Sequence, residues 1–263
     1  MRTGEALAKV NLALHVTGRR ADGYHLLDSA VAFGRPADVL TVTEGDGLTV
    51  TGPFAAGVPT DDSNLIRRAL SLAGTRRAVT LDKRLPHPAG LGGGSSDAAC
   101  VLRLVDADLP VEALLTLGAD VPVCVFGQAA RMRGIGEQVM PLDLPPIPAV
   151  LVNPGLPVPT RAVFAALATP DNPPMDTPDV GMDLASALDW LARQRNDLEA
   201  PAIAAAPDIA TVLAAIGETG ALVRRMSGSG ATCFGLYPDR ATAGAAARRL
   251  TRPGWWVQAT TLT

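Results

Sequence analysis

Three short constellations in this chain have residue types and spacings that could do chemistry, the first two of them on phosphate. The first is Gly90-Leu91-Gly92-Gly93-Gly94-Ser95-Ser96, preceded by Pro86-His87-Pro88-Ala89. Four glycines remove the Cβ atoms that would keep a ligand away from backbone N–H groups. Successive amides in such a loop form a concave anion nest, and a helix starting near Ser95 adds its positive dipole end. Ser95 and Ser96 can cap that helix or donate to phosphate oxygens. The spelling excludes two common nucleotide loops. Neither lysine stands at the offset that G-x-x-x-x-G-K-[ST] requires, and the last glycine of G-x-G-x-x-G would fall on Ser95. A flexible turn is the alternative; flanking strand and helix patterns favour phosphate binding.

The second constellation is Asp120 in Gly118-Ala-Asp-Val-Pro122. Transfer of a phosphoryl group to an alcohol needs a carboxylate to orient or accept the hydroxyl proton. It also needs cations against the charge spreading over the γ-phosphoryl oxygens. An ionised carboxylate is a weak base but a good acceptor, which suits a loose transition state where the proton leaves late. Lys9 is the candidate cation. A solvated turn aspartate and a snorkelling lysine are the alternatives. The third is Met226-Ser-Gly-Ser-Gly-Ala231, whose glycines permit either a ligand contact or a plain hairpin connection.

The elements that must position these residues are legible from periodicity. Val10, Leu12, Leu14 and Val16 alternate with Lys9, Asn11, Ala13 and His15, the period of a strand. Lys9 and Asn11 then share one face, roughly 6.6–7 Å apart. Residues 19–25 form a loop with an Asp22-Gly23 turn. Residues 38–43 and 47–51 read as two strands of a hairpin around Gly45-Asp46-Gly47. Asp61-Asp62-Ser63 offers N-caps for a helix from Leu65. A strand over 78–82 enters the glycine loop, and a helix resumes over 97–105. A helix over 111–117 and a strand over 123–126 follow.

The proline-rich stretch from Pro141 to Pro148 is the linker candidate. Beyond it come a strand at 149–153, a helix from Thr160 and a Pro/Asp-rich loop at 169–181. Helices at 183–193 and 208–216, strands at 221–226 and 231–237, a helix at 240–250 and a strand at 255–261 complete the chain. Two α+β layers, residues 1–146 and 147–263, are expected.

Composition narrows the function classes. The 263 residues are 48% hydrophobic and 19% charged with net charge −3, which excludes disorder and disfavours nucleic acid or anionic membrane as partner. The basic residues number 23, yet only Lys9 and Lys83 are lysines. Three scattered cysteines without C-x-x-C or paired histidines argue against a zinc site or disulfide framework. They read as small buried hydrophobes in a reducing cytoplasm. No apolar run approaches a membrane span.

Together these motifs resemble the GHMP kinase superfamily. Ala8-Lys9-Val-Asn11, Arg20-Ala-Asp-Gly-Tyr24-His25, residues 86–96, Gly118-Ala-Asp120-Val-Pro122 and Met226-Ser-Gly-Ser-Gly230 occur in the order of one branch, whose acceptor is a CDP-linked alcohol. The resemblance implies an α+β, two-domain fold: a ribosomal-protein-S5-like N-terminal domain (1–146) and a ferredoxin-like C-terminal domain (147–263). It implies ATP as phosphoryl donor with Mg²⁺, and phosphorylation of the 2-hydroxyl of the CDP-linked methylerythritol in non-mevalonate isoprenoid biosynthesis.

By the same likeness Lys9 and Asp120 are the catalytic pair. Asn64 lies near the adenine, and Pro86, His87, Pro88, Ala89, Gly90, Leu91, Gly92, Gly93, Gly94, Ser95 and Ser96 hold the triphosphate. Tyr24 and His25 hold the cytidine, where an aromatic face suits a base. Asn11 and Thr160 touch the acceptor. No metal ligands are assigned, and monomer and homodimer are both open. Three features depart from the superfamily pattern: Asp97 in place of Asn, His87-Pro88 in place of Met-Gly, and a segment between Ser96 and Asp120 about two helical turns shorter. A homoserine or mevalonate type of kinase, or a non-catalytic nucleotide-binding module, are the alternatives; the Tyr24-His25 loop and the Lys9/Asp120 pair weigh against them.

Overall fold

The computed structural model describes residues 1–263 and arranges them around two sheets. The first sheet holds β1 (Arg2–Arg19), β2 (His25–Thr43), β3 (Gly47–Thr51), β4 (Ala78–Asp82), β5 (Ala130–Gly134) and β6 (Gln138–Pro141). Long β2 organises it. β1 pairs along one edge, while β4 and β5 share the other, at residues 39–43 and 27–31. The expected hairpin between residues 38–43 and 47–51 does not form. Both segments are strands, but β4 lies between them, antiparallel to β2 and parallel to β3. Burial explains the order: β4 brings Val79 and Leu81 inward, and β3, with no fully buried residue, is left as the edge.

One face of this sheet carries α1 (Leu65–Leu72), α2 (Gly93–Leu104), α3 (Val111–Leu117) and α4 (Val121–Phe126). Ile66, Ala69, Leu70, Ala98, Val101, Leu114 and Val121 meet Leu40, Val79 and Leu81 in one core. Three local expectations are corrected here. The cap of α1 is Asn64, whose Oδ1 accepts the Ile66 N–H at 2.9 Å, while Asp61 is used in a turn with Ser63. α2 starts at Gly93, within the glycine run rather than at Ser95 or Asp97, because left-handed Gly92 (φ +60°) ends the loop there. Residues 123–126 lie in α4, not in a strand. Their β-branched composition reads as β, but Pro122 in the first turn and left-handed Gly127, whose N–H reaches the Val123 carbonyl, fix a short helix.

The second sheet, in the order β10 (Trp256–Leu262), β7 (Ile147–Asn153), β9 (Cys233–Leu236), β8 (Val223–Met226), is antiparallel throughout. With it go α5 (Thr160–Ala165), α6 (Leu184–Arg193), α7 (Glu199–Ala205), α8 (Asp208–Gly217) and α9 (Arg240–Leu250). Elements α7, β5 and β6 were not expected. α7 carries Pro201 and mostly alanine, and β5 alternates arginine with its apolar residues, of which Arg131 is itself buried.

The two sheets share a core. Ala8, Val10 and Leu12 of β1 pack with Leu151, Trp190, Phe234 and Leu262 in a single cluster. The free edge of β1 is covered by loops from both halves: the Lys9 N–H donates to the Leu91 carbonyl and the Leu14 N–H to the Arg195 carbonyl, each at 2.9 Å. All three cysteines are unpaired and buried, and burial pushes the thiols up, Cys100 to about 11 and Cys124 to about 12. They are neutral hydrophobes, as their sequence surroundings imply. No helix is long and apolar enough to cross a membrane.

Candidate active site

Lys9 is the hub of the site. Its Nζ donates to Asp120 Oδ2 at 2.7 Å and to Asn11 Oδ1 at 2.8 Å. Strand period places Lys9 and Asn11 on one face, and the bond between them confirms that reading of β1. The pair of Lys9 and Asp120, 111 residues apart in the chain, meets because α4 begins there: the Asp120 carbonyl opens α4 by accepting the Cys124 N–H. Its side chain makes no capping bond and turns instead to the lysine. Lys9 is 3% exposed and Asp120 32%, so the ammonium is held from inside and the carboxylate opens to solvent.

The glycine loop lies against the same lysine. A Cβ at Gly92 would stand 2.9 Å from Lys9 Cε, so only glycine lets the loop close over the side chain. Gly93 and Gly94 form the first turn of α2, whose unpaired N–H groups and positive dipole end suit an anion. Ser95 is half-buried; Ser96 is buried with its Oγ 3.5 Å from Cys124 Sγ. Of the residues leading into the loop, Pro86 and Ala89 are buried, and His87 and Pro88 are exposed. Asn64 sits at the start of α1 beside this turn, where Leu65 Cδ1 would lie 3.5 Å from a Cβ on Gly94. Its amide is engaged with the Ile66 N–H and the Pro59 carbonyl.

Asn11 is 1% exposed and fully engaged: besides holding Lys9, its Nδ2 donates to Ser29 Oγ at 2.8 Å and its backbone N–H to Ser227 Oγ at 3.0 Å. The geometry makes it a support for the lysine. Ser227 then donates to the Gly90 carbonyl at 2.8 Å, and the Thr232 N–H to the Ala89 carbonyl. The two glycine-rich motifs, 136 residues apart at Gly90 and Met226, are thereby docked face to face. Asn196 locks the second of them with bonds from Nδ2 to the carbonyls of Met226 and Gly228.

The tip of the β1–β2 hairpin forms the other end. Tyr24 is 61% exposed, and the His25 ring stacks on Phe164 of α5 with centroids 4.9 Å apart. Burial and then Arg19 hold the His25 pKa below the ordinary histidine value. Thr160, one helical turn before Phe164, is 2.7 Å from Ser229 Oγ. One face of α5 therefore links the hairpin tip to the second glycine motif.

The sequence of each half matches a known family: residues 63–128 match the GHMP kinases N terminal domain, and residues 182–254 the GHMP kinases C terminal domain. The 4-diphosphocytidyl-2-C-methyl-D-erythritol kinase of Dinoroseobacter shibae is 56% identical, over 98% of this chain and 94% of its own. That of Paracoccus denitrificans is 53% identical, over 99% and 97%. A crystal structure of a 4-(cytidine 5'-diphospho)-2C-methyl-D-erythritol kinase superposes with a TM-score of 0.81 at 39% identity, covering 99% of each chain. The chain belongs to the 4-diphosphocytidyl-2-C-methyl-D-erythritol kinase family of the GHMP kinases.

Some contacts of this site carried no sequence signal. Asn196 stands outside every motif, and although Ser227 and Ser229 lie in the Met226–Ala231 motif, the partners they hold, Asn11, Gly90 and Thr160, could not be read from it. Phe164 could have been found only from its place four residues after Thr160. No group of three or more Asp, Glu, His or Cys side chains converges to hold a metal.

Proposed function

We propose that this chain transfers the γ-phosphoryl group of ATP to the 2-hydroxyl of 4-diphosphocytidyl-2-C-methyl-D-erythritol, in isoprenoid precursor biosynthesis. One observation carries the reading: the 2.7 Å contact between Lys9 Nζ and Asp120 Oδ2, beneath the glycine loop. The triphosphate lies on the loop of residues 86–96, with its γ end toward Lys9 and the adenosine toward Asn64. Magnesium, if bound with the nucleotide, would neutralise phosphate charge.

The acceptor hydroxyl donates to the free oxygen of Asp120, which aims its lone pair at Pγ. A new O–Pγ bond forms as the bond from Pγ to the β,γ-bridging oxygen breaks, and ADP leaves. The hydroxyl proton passes to Asp120 late in the step and then to solvent. Lys9 stays charged between the carboxylate and the phosphoryl oxygens, where a compact ammonium fits better than the planar fork of arginine. Asn11 keeps it aimed.

Acceptor choice rests on the hairpin tip, which lies well along β1 from Lys9 and so calls for an elongated acceptor. Tyr24 offers a free aromatic face for a cytosine to stack on. His25, kept neutral and stacked on Phe164, offers one ring donor and one acceptor to the base edge. Thr160 borders the path between the two ends. Three unpaired, buried thiols are consistent with a cytoplasmic setting.

The deciding experiment measures ADP release with the CDP-linked alcohol, mevalonate and homoserine, and identifies the phosphorylated product. Turnover is expected with the CDP-linked alcohol alone. Turnover with mevalonate or homoserine and none with the CDP-linked alcohol would overturn the assignment.

A further inference from the structure

Behind the glycine loop lies a buried charge cluster that the transfer step leaves unused. Lys83 Nζ donates to Asp38 Oδ2 at 2.5 Å and to Asp97 Oδ2 at 2.8 Å, and all three side chains are buried. The cluster sits directly under the loop: a Cβ on Gly93 would be 3.0 Å from Lys83 Nζ and 3.8 Å from Asp38 Oδ2. Two carboxylates share one ammonium, so the group has a surplus negative charge when both are ionised.

The carboxylates are not equivalent. Asp38 Oδ1 also accepts the backbone N–H groups of Arg84 and Leu85, at 2.6 and 2.8 Å. Asp97 has only Lys83, and its Oδ1 is buried without a partner. An unanswered buried acceptor is costly, more so when charged, and a proton on that carboxyl relieves it. Burial, helped by Asp38 and opposed by Lys83, pushes Asp97 up to about 7. Burial also opposes the charge on Lys83, but Asp97 and Asp38 outweigh it and hold the lysine pKa above its ordinary value.

The exposed His87, on the loop, has its pKa lowered by partial desolvation of the ring and by Lys83. Cys100, on the next turn of α2, is pushed up to about 11 and is neutral. Of the two neighbouring carboxyls, Asp97 is the one placed to carry a proton, because Asp38 has two backbone donors and Asp97 Oδ1 has none.

We infer that Asp97 tunes nucleotide affinity: the triphosphate binds best when Asp97 is protonated, so nucleotide binding draws a proton from solvent onto Asp97. The inference rests on reading residues 86–96 as the triphosphate site. An anion on the amides of Gly93 and Gly94 lies over the cluster, where protein rather than salt water separates the charges and screening is weak. A ligand that prefers the protonated form must raise the proton affinity of that carboxyl by the same factor. One O–H bond forms on Asp97, and the donor is solvent or buffer. Asp97 touches no reacting atom; it is a positioning residue acting through charge.

The test is calorimetric titration with a magnesium complex of a non-hydrolysable ATP analogue, in two buffers of different ionisation enthalpy, which counts protons taken up per nucleotide. Uptake by the analogue's own phosphate and by His87 is common to wild type and Asp97→Asn, so their difference reports Asp97. The wild type is expected to take up a fraction of a proton that the variant does not. The variant is expected to bind roughly three- to tenfold more tightly near pH 8, with the gap closing toward about pH 6. Equal uptake in both proteins overturns the inference. Should the variant not fold, infrared difference spectra of the wild type decide the point: the C=O stretch of a protonated carboxylic acid must grow when the analogue is added, and its absence overturns the inference. Binding without this proton uptake removes the inference alone, whereas no binding at all removes the nucleotide reading with it.

Discussion

Asp120 and Asn11 both contact Lys9, yet they should fail in different ways. In the proposed reaction Asp120 receives the acceptor hydroxyl, so Asp120→Asn would remove an interaction made mainly in the transition state. We expect kcat to fall by at least ~10²-fold while nucleotide affinity stays within about threefold. Steady-state kinetics with direct nucleotide titration checks this, and near-normal turnover would take Asp120 out of the mechanism. Asn11 is held by Ser29, Ser227 and Lys9 and has no exposed surface to speak of. Asn11→Ala should let the ammonium drift, lowering kcat roughly tenfold with little change in the acceptor KM. A rise in the acceptor KM at unchanged kcat would instead mark Asn11 as a substrate contact, which is the role the superfamily resemblance implies.

Elements meet at this site through backbone contacts that leave no room for side chains. Gly90 has φ +72°, and a Cβ there would lie 2.5 Å from the Ser227 carbonyl oxygen and 2.8 Å from that of Gly230. Gly90→Ala must therefore strain its own backbone and push the 226–231 loop away from the phosphate loop. We expect a loss of about 2–4 kcal/mol in denaturant unfolding together with weaker nucleotide binding. Unchanged values for both would mean the loops are not coupled. Why Gly90 needs residue 227 could not be read from the sequence, because each glycine motif alone is consistent with an ordinary turn. What could be read followed period: the alternation in residues 9–16 placed Lys9 beside Asn11. Period failed where local composition and tertiary context disagree. Val123, Cys124 and Val125 have strand composition, yet Pro122 and Gly127 make them a helix. The strand at 78–82 was found, but not that it lies between its two predecessors, since pairing partners are set by burial across the sheet. Asp97 and Lys83 were each legible as unusual residues near the loop, but not that one lies beneath the other and binds it.

The two sheets are built from separate stretches of chain, and the proposed catalytic groups Lys9 and Asp120 both belong to the first half. The second half nevertheless completes the site with Ser227, Asn196 and Thr160, which requires the halves to be rigidly joined. The joint is an apolar core rather than a hinge: Val10, Leu12, Leu151, Trp190, Phe234 and Leu262 lie in one cluster, each at most 2% exposed. At its margin Phe33 and Thr263 exchange backbone hydrogen bonds of 2.9 Å in both directions, so β10 closes onto β2 of the first sheet. Such a core predicts that the halves unfold together. Leu262 comes from the second sheet but packs near Gly34 of the first, where a Cβ on the glycine would be 2.9 Å from Leu262 Cδ2. Leu262→Ala leaves a cavity at the joint and should cost about 2–5 kcal/mol, as buried leucine truncations do. If the joint is the shared core, calorimetry of that variant gives one transition at a lower Tm, with calorimetric and van't Hoff enthalpies still equal. Two resolved transitions in the wild type would mean that the halves are independent domains, and the docking of the 226–231 loop on Gly90 would then have to be maintained by loop contacts alone.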